Sequence, residues 1–135
     1  QRKEDQSKPR LSRSSDGYLL YVGKNNQQNE ILSFQIAEGK DFWFHGKNIP
    51  GSHVIAKTEG KDLEELPDRL FEEAAELAAY FSSEGSSQKV DVDYTQKKNL
   101  KKVPGAAPGF VIYHQNYSIL VSPKLELEEI KDFPW

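Results

Sequence analysis

Asp41-Phe42-Trp43-Phe44-His45-Gly46, then Ile49-Pro50-Gly51-Ser52, then His53-Val54-Ile55-Ala56-Lys57 read as strand, turn and strand. Phe42-Trp43-Phe44-His45 has strand composition and is stopped by Gly46, the Pro-Gly pair supplies turn chemistry, and the branched run resumes as a strand. In the first strand Phe42 and Phe44 share one face, suited to a core. Asp41, Trp43 and His45 share the other. Two roles are open to that second face. It can offer a carboxylate, an indole and an imidazole for stacking a base or gripping a polar ligand. Alternatively, Trp43 is core and Asp41 and His45 form a local hydrogen-bonded pair.

Working outward, Tyr18-Leu19-Leu20-Tyr21-Val22 is rich in strand formers, and Gly23-Lys24-Asn25-Asn26 breaks it. Asn25 or Asn26 is placed to cap a helix running to about Ala37. A second helix is expected from Pro67 to about Ser82, where Leu70, Ala74, Leu77, Ala78 and Phe81 form one apolar face. Lys89–Tyr94 alternates as a strand, with Val90, Val92 and Tyr94 on one side and Asp91 and Asp93 on the other. Val103-Pro104-Gly105-Ala106-Ala107-Pro108-Gly109 contains two Pro turns. Phe110–Tyr113 and Ser118–Val121 are expected to form a hairpin around residues 114–117. The expected fold is a single α+β domain: a mixed, mostly antiparallel sheet of about five to six strands with two main helices. Residues 1–10 are expected to be a linker and 11–135 the domain.

The 135 residues suit one domain with a real core, and 36% hydrophobic content argues against global disorder. With no cysteine there is no disulfide framework, Cys-ligated zinc or thiol nucleophile. The apolar runs are too short to span a bilayer, no signal peptide opens the chain, and a start on Gln1 suggests a fragment of something longer. The net charge of −3 hides a segregation: residues 1–24 carry +3, 25–87 carry −7, 88–116 carry +3 and 117–135 carry −2. Lys97, Lys98, Lys101 and Lys102 fall within six residues, beside Tyr94. Local potential matters more than the total to an anionic ligand, because charges beyond about 8–10 Å are screened. Such lysines can contact successive phosphates, and Gly105 and Gly109 would leave backbone N–H groups approachable; a solvated charged loop is the plainer alternative.

Catalytic signatures are lacking. There is no nucleophile elbow, Walker A loop or dinucleotide fingerprint, and Ser52-His53 adjacency is not a triad geometry. Asp41, His45 and His53 could be imagined around a divalent metal. However, no H-x-x-x-H or H-E-x-x-H spacing supports that arrangement, and hydrogen-bonded histidines are the simpler reading. No enzyme activity and no cofactor are expected.

Six motifs in order then resemble the NFACT-R domain: Val22–Glu30, Asp41–His45, Ile49–Val54, the Ala-rich helix Glu73–Tyr80, Val92–Thr95 and Val103–Gly109. That domain closes the chains of the NFACT family, which includes bacterial fibronectin-binding protein A-like proteins, the bacterial RqcH factor and the eukaryotic nuclear export mediator factor. The resemblance implies an RNA-binding module of a ribosome quality-control factor. Such factors bind stalled large subunits and support C-terminal alanine tailing of nascent chains. The implied partners are tRNA, large-subunit RNA and the rest of an NFACT chain (N-terminal domain, helix-hairpin-helix motifs and coiled coil), with no membrane. Residues 1–10 would then lead from the coiled coil. The implied location is cytoplasmic and ribosome-associated. An alternative is a protein-binding module, including fibronectin adhesion on a cell surface reached without a signal peptide; the acidic 25–87 segment favours it.

Carried over residue by residue, Lys24 and Asn25 match the family's Gly-Arg/Lys-Asn turn. Asp41, Trp43 and His45 match its D-x-W-x-H strand, and Gly51, Ser52 and His53 its P-G-S-H turn. Lys101 and Lys102 match a basic pair before its last loop. With Tyr94, Lys97 and Lys98, these residues form the expected RNA-binding set. Two positions depart from the pattern: Ser83-Glu84-Gly85-Ser86 replaces a basic Ser-Lys-x-Arg stretch, and Ala107 replaces a Lys.

Overall fold

In the computed structural model, which describes residues 8–131, the strand–turn–strand reading holds. Phe42–Gly46 (β3) and Val54–Ala56 (β4) pair antiparallel, with Trp43 opposite Ile55. Arg10–Arg13 (β1), Leu19–Val22 (β2), Val90–Gln96 (β5) and Tyr117–Val121 (β8) complete a six-stranded sheet in the order β1-β2-β4-β3-β5-β8. Every pairing in it is antiparallel. Leu100–Lys102 (β6) and Val111–Tyr113 (β7) form a separate antiparallel ribbon. The helices are Asn26–Ile31 (α1), which widens into a π-helical turn over Leu32–Ile36, and Asp68–Tyr80 (α2).

Two apolar layers follow from strand alternation. On one face, Leu20, Val22, Phe42, Phe44, Val54, Ala56, Val90 and Val92 pack against Leu70, Phe71, Ala74, Leu77 and Ala78 of α2. Each large apolar side chain buried there contributes about 1.5–3 kcal/mol. The opposite face carries Leu11, Tyr21, Trp43 and Ile55, covered by Leu32 and Ala37 after α1 and by Leu100 of β6. Val111 and Tyr113 of β7 pack against the same layer.

Three departures from the sequence reading are physical. Arg10–Arg13 form an edge strand, β1, paired with β2, where composition signalled no strand; Gln1–Ser7 lie outside the described residues. Phe110–Tyr113 and Ser118–Val121 do not form a hairpin. β7 pairs with β6 in the second layer, while β8 pairs with β5 at the sheet edge. Gln115, held at φ 51, turns the chain between those layers. The lysine segment is a 3-10 turn over Lys97–Asn99 followed by β6.

Candidate nucleic-acid interface

The first and third motifs, Val22–Glu30 and Ile49–Val54, are knitted into one structure by hydrogen bonds. Asn25 caps α1, its Oδ1 accepting from Gln28 N–H at 2.9 Å, while Gln28 Oε1 accepts from Lys24 N–H at 2.8 Å. The exchange satisfies donors at the helix start. Asn29, one residue on, faces the sheet. Its Oδ1 accepts from His53 N–H at 3.0 Å and its Nδ2 donates to Gly51 O at 3.4 Å. Gly23 is obligatory here, since a Cβ on it would lie 2.0 Å from Asn29 Oδ1. Ser52 Oγ donates to Gly23 O at 2.5 Å, and Gly23 N–H donates to His53 O at 3.1 Å. On the other side, Ser52 N–H donates to Phe81 O and Ser83 N–H to Pro50 O. The result is a shallow polar recess bordered by Lys24, Asn25, Asn26, Gly51 and Ser52.

The D-x-W-x-H strand lies beneath this surface rather than on it. Asp41 is 2% exposed. Its Oδ1 accepts from Thr58 N–H at 2.8 Å and from Thr58 Oγ1 at 3.2 Å, and its Oδ2 from Glu38 N–H at 2.8 Å; Lys57 Nζ lies 2.6 Å from Oδ2. Trp43 is 0% exposed. Its ring centroid lies 5.7 Å from His45, 5.3 Å from His53 and 4.7 Å from Tyr113. The stacking role expected of Trp43 is therefore not available in this conformation, because the ribbon and α1 cover a face that composition alone left open. His53 Nδ1 meets Ser33 Oγ at 2.7 Å. Burial, and secondarily the neighbouring His45, push His53 down to about 3, and burial also lowers His45. Both imidazoles are neutral near pH 7 and hold structure rather than offer charge.

The four lysines do not form one row. Lys97 N–H donates to Asp41 O, and Lys98 is exposed at the far end of the sheet beside Tyr117. On β6, consecutive side chains take opposite sides. Lys101 is exposed opposite Ile112, while Lys102 Nζ lies 2.5 Å from Glu30 Oε2 on α1. Glu30 Oε1 accepts from Gly109 N–H at 2.8 Å. The Lys102 hydrogen bond, followed by that of Gly109, holds the Glu30 carboxyl below its usual range. Gly109 N–H is thus already engaged, contrary to expectation. Val103–Ala106 and Ala107–Phe110 are successive turns, each closed by a backbone hydrogen bond, with Gly105 at φ 79 and Gly109 at φ 86 after the prolines. A Cβ at Gly109 would sit 3.1 Å from Asn26 O, so the loop rests on the start of α1. Lys24, Lys102 and the Gly109 turn therefore converge there, with the Lys101 side chain on the other side of β6.

Three contributors were not singled out from sequence. Asn29 and Glu30 stood inside a quoted motif, but their spacing did not signal that they reach other loops. Asp93 read as a strand alternation; it is 3% exposed and accepts from Tyr113 Oη at 2.7 Å and Ser118 Oγ at 2.6 Å, with Lys47 Nζ at 2.9 Å. Tyr94 is half-buried between Phe44 and Tyr117. Among the described residues no group of three or more His, Asp or Glu side chains is arranged to hold a metal ion, and no helix is long and apolar enough to cross a membrane.

A family model described as the NFACT protein RNA binding domain matches residues 8–115. The chain is 44% identical over 110 residues to "Rqc2 homolog RqcH" of Bacillus subtilis (strain 168), covering 82% of this chain and 18% of that protein. It is 31% identical over 104 residues to "Coiled-coil domain-containing protein 25 homolog" of Dictyostelium discoideum, covering 76% of this chain and 50% of that one. Among solved structures, the C-terminal part of the fibronectin/fibrinogen-binding protein from Streptococcus suis superposes with a TM-score of 0.81 at 39% identity, covering 92% of this chain and 49% of that one. The chain thus spans half or less of the length of these relatives.

Proposed function

This chain belongs to the family of NFACT protein RNA-binding domains, and from that membership we propose that it is a non-catalytic module contacting tRNA or large-subunit RNA within a ribosome quality-control factor. In this proposal the whole factor acts on stalled large subunits in the cytoplasm and supports alanine tailing of nascent chains. The observation that carries the RNA reading is the convergence at the start of α1. Glu30 ties Lys102 and Gly109 to the helix that Asn25 caps, so the two basic segments share one edge. Lys24, Asn25, Gly51 and Ser52 would meet one stretch of backbone, and Lys101 with the open Gly105 turn would meet the next. Asp41, Trp43, His45 and His53 act by holding that surface in shape.

The test is fluorescence anisotropy of the chain with labelled tRNA across a salt series. Affinity of about 10⁻⁴–10⁻⁵ M at physiological salt is expected, with log K falling linearly in log salt. Replacing Lys24 and Lys101 by Ala should flatten that slope by about 0.7–0.9 for each phosphate that is no longer neutralised. Absence of binding at low salt would sink the proposal. So would affinity that is unchanged when Lys24, Lys97, Lys98, Lys101 and Lys102 are all replaced.

A second reading is adhesion to fibronectin at a cell surface. Two observations favour it: the similarity to the fibronectin/fibrinogen-binding protein of Streptococcus suis and the acidic 25–87 segment. Salt-insensitive fibronectin binding without RNA binding would support it.

A further inference from the structure

On the α2-covered face of the sheet, three aromatic residues stand in register. Phe44 of β3 is opposite Tyr94 of β5, and Tyr94 is opposite Tyr117 of β8. Their rings follow the register. Phe44 and Tyr94 stack at 5.2 Å and 17°, Tyr94 and Tyr117 at 5.3 Å and 28°. Exposure grows outward from 0% at Phe44, through the half-buried Tyr94, to 51% at Tyr117. Because β8 is an edge strand, the ladder ends on a half-exposed ring, and among the described residues no further strand extends it.

Beside that ring is a cavity of about 450 Å³ whose lining includes Tyr117, Gln96, Lys98, Gln115 and Asn116. The volume falls in the range of small-molecule sites, roughly 300–1,000 Å³. Its wall is preorganised. Gln115 has φ 51, a conformation that side-chain-bearing residues adopt at a cost. Thr95 Oγ1 donates to His114 O and Gln115 O, and accepts from Asn99 Nδ2 at 2.9 Å. Thr95 is 1% exposed and Asn99 9%. Buried hydrogen bonds thus keep the strained loop in place.

An open aromatic ring suits another π-system. Side-chain amides offer both donors and acceptors, and an ammonium offers charge to a phosphate. We infer that this cavity takes one unpaired nucleobase of single-stranded RNA. The base stacks on Tyr117, its edge meets Gln96, Gln115 and Asn116, and its phosphate meets Lys98. The inference rests on the RNA-binding reading but concerns a second site, at the opposite end of the chain's lysine cluster from Lys102 and α1.

The test compares an eight-nucleotide single-stranded oligouridine and oligoadenine with a blunt RNA duplex of equal length, at fixed salt. Tyr117→Leu keeps an apolar side chain but removes the ring, and should weaken single-strand binding at least about five-fold, the low end for one lost base stack. Duplex affinity should not move. Tyr117→Phe should retain wild-type affinity, and Lys98→Ala should weaken single-strand binding while flattening its salt slope. If the wild-type chain binds single strands and Tyr117→Leu binds them equally, or loses duplex affinity to the same degree, the inference is wrong and the RNA reading survives. If the wild-type chain binds no RNA at low salt, both fall.

Discussion

Acidification from pH 7 to pH 5 should remove about 2 kcal/mol of folding stability through His53 alone. The imidazole is 3% exposed, faces His45 and Trp43, hydrogen-bonds Ser33, and lies within reach of the Glu30 carboxylate. Burial first, and then His45, lower it to about 3 from the ordinary 6.5. The folded state therefore keeps His53 neutral while the unfolded chain protonates it. The unfolded state binds the extra proton between about pH 6.5 and 3, so stability falls with falling pH across that window, at up to about 1.4 kcal/mol per pH unit. At pH 5 this amounts to about 2 kcal/mol, and His45, also lowered by burial, adds in the same direction. Asp93 and Glu30, both held below their usual range, lose their contribution only as pH falls further, through their own lowered values. Urea unfolding followed by tyrosine and tryptophan fluorescence at pH 7 and 5 reads the loss. His53→Gln should be less stable at pH 7 yet lose about 2 kcal/mol less than wild type over the interval. An unchanged midpoint between pH 7 and 5, or an NMR titration of His53 near pH 6.5, would refute the reasoning.

Asn29→Ala leaves the buried His53 N–H without its acceptor, and should cost about 1–3 kcal/mol in urea unfolding while also weakening RNA binding. Leu77→Ala in α2, at 1% exposure and on the opposite side of the sheet, should cost about 2–5 kcal/mol but leave the affinity of the folded chain unchanged. Glu84 follows Ser83, whose N–H donates to Pro50 O beside the recess. Glu84→Lys should therefore raise RNA affinity and steepen the salt slope by about 0.7–0.9, and Ala107→Lys should do the same at the turn above α1.

Much of the sheet was legible because its strands carry their own periodicity. Phe42 and Phe44 against Trp43, Val90 and Val92 against Asp91, and the apolar face of α2 each fixed a side without reference to distant contacts. The partners of β7 and β8 were not legible. Their turn-like junction at His114–Asn116 looks like a hairpin locally, and only packing of Val111 and Tyr113 onto the second layer redirects it. The site shows the same limit. The paired Pro-Gly turns and the Asn25 cap are local chemistry and stood out. The burial of Trp43 depends on β6, β7 and α1 closing over it from three places in the chain, and the splitting of the lysine cluster depends on Glu30 claiming Lys102.

RNA is expected to meet the edge formed by the start of α1, the Gly51–Ser52 turn and the Lys101–Gly109 loop. Amide chemical-shift mapping of the ¹⁵N-labelled chain during titration with tRNA tests this most directly. The largest shifts are predicted on Lys24, Asn25, Gly51, Ser52, Lys101 and Gly105, with the outward face of α2 around Arg69 and Glu72 unmoved. Shifts concentrated on α2, or none at low salt, would contradict it.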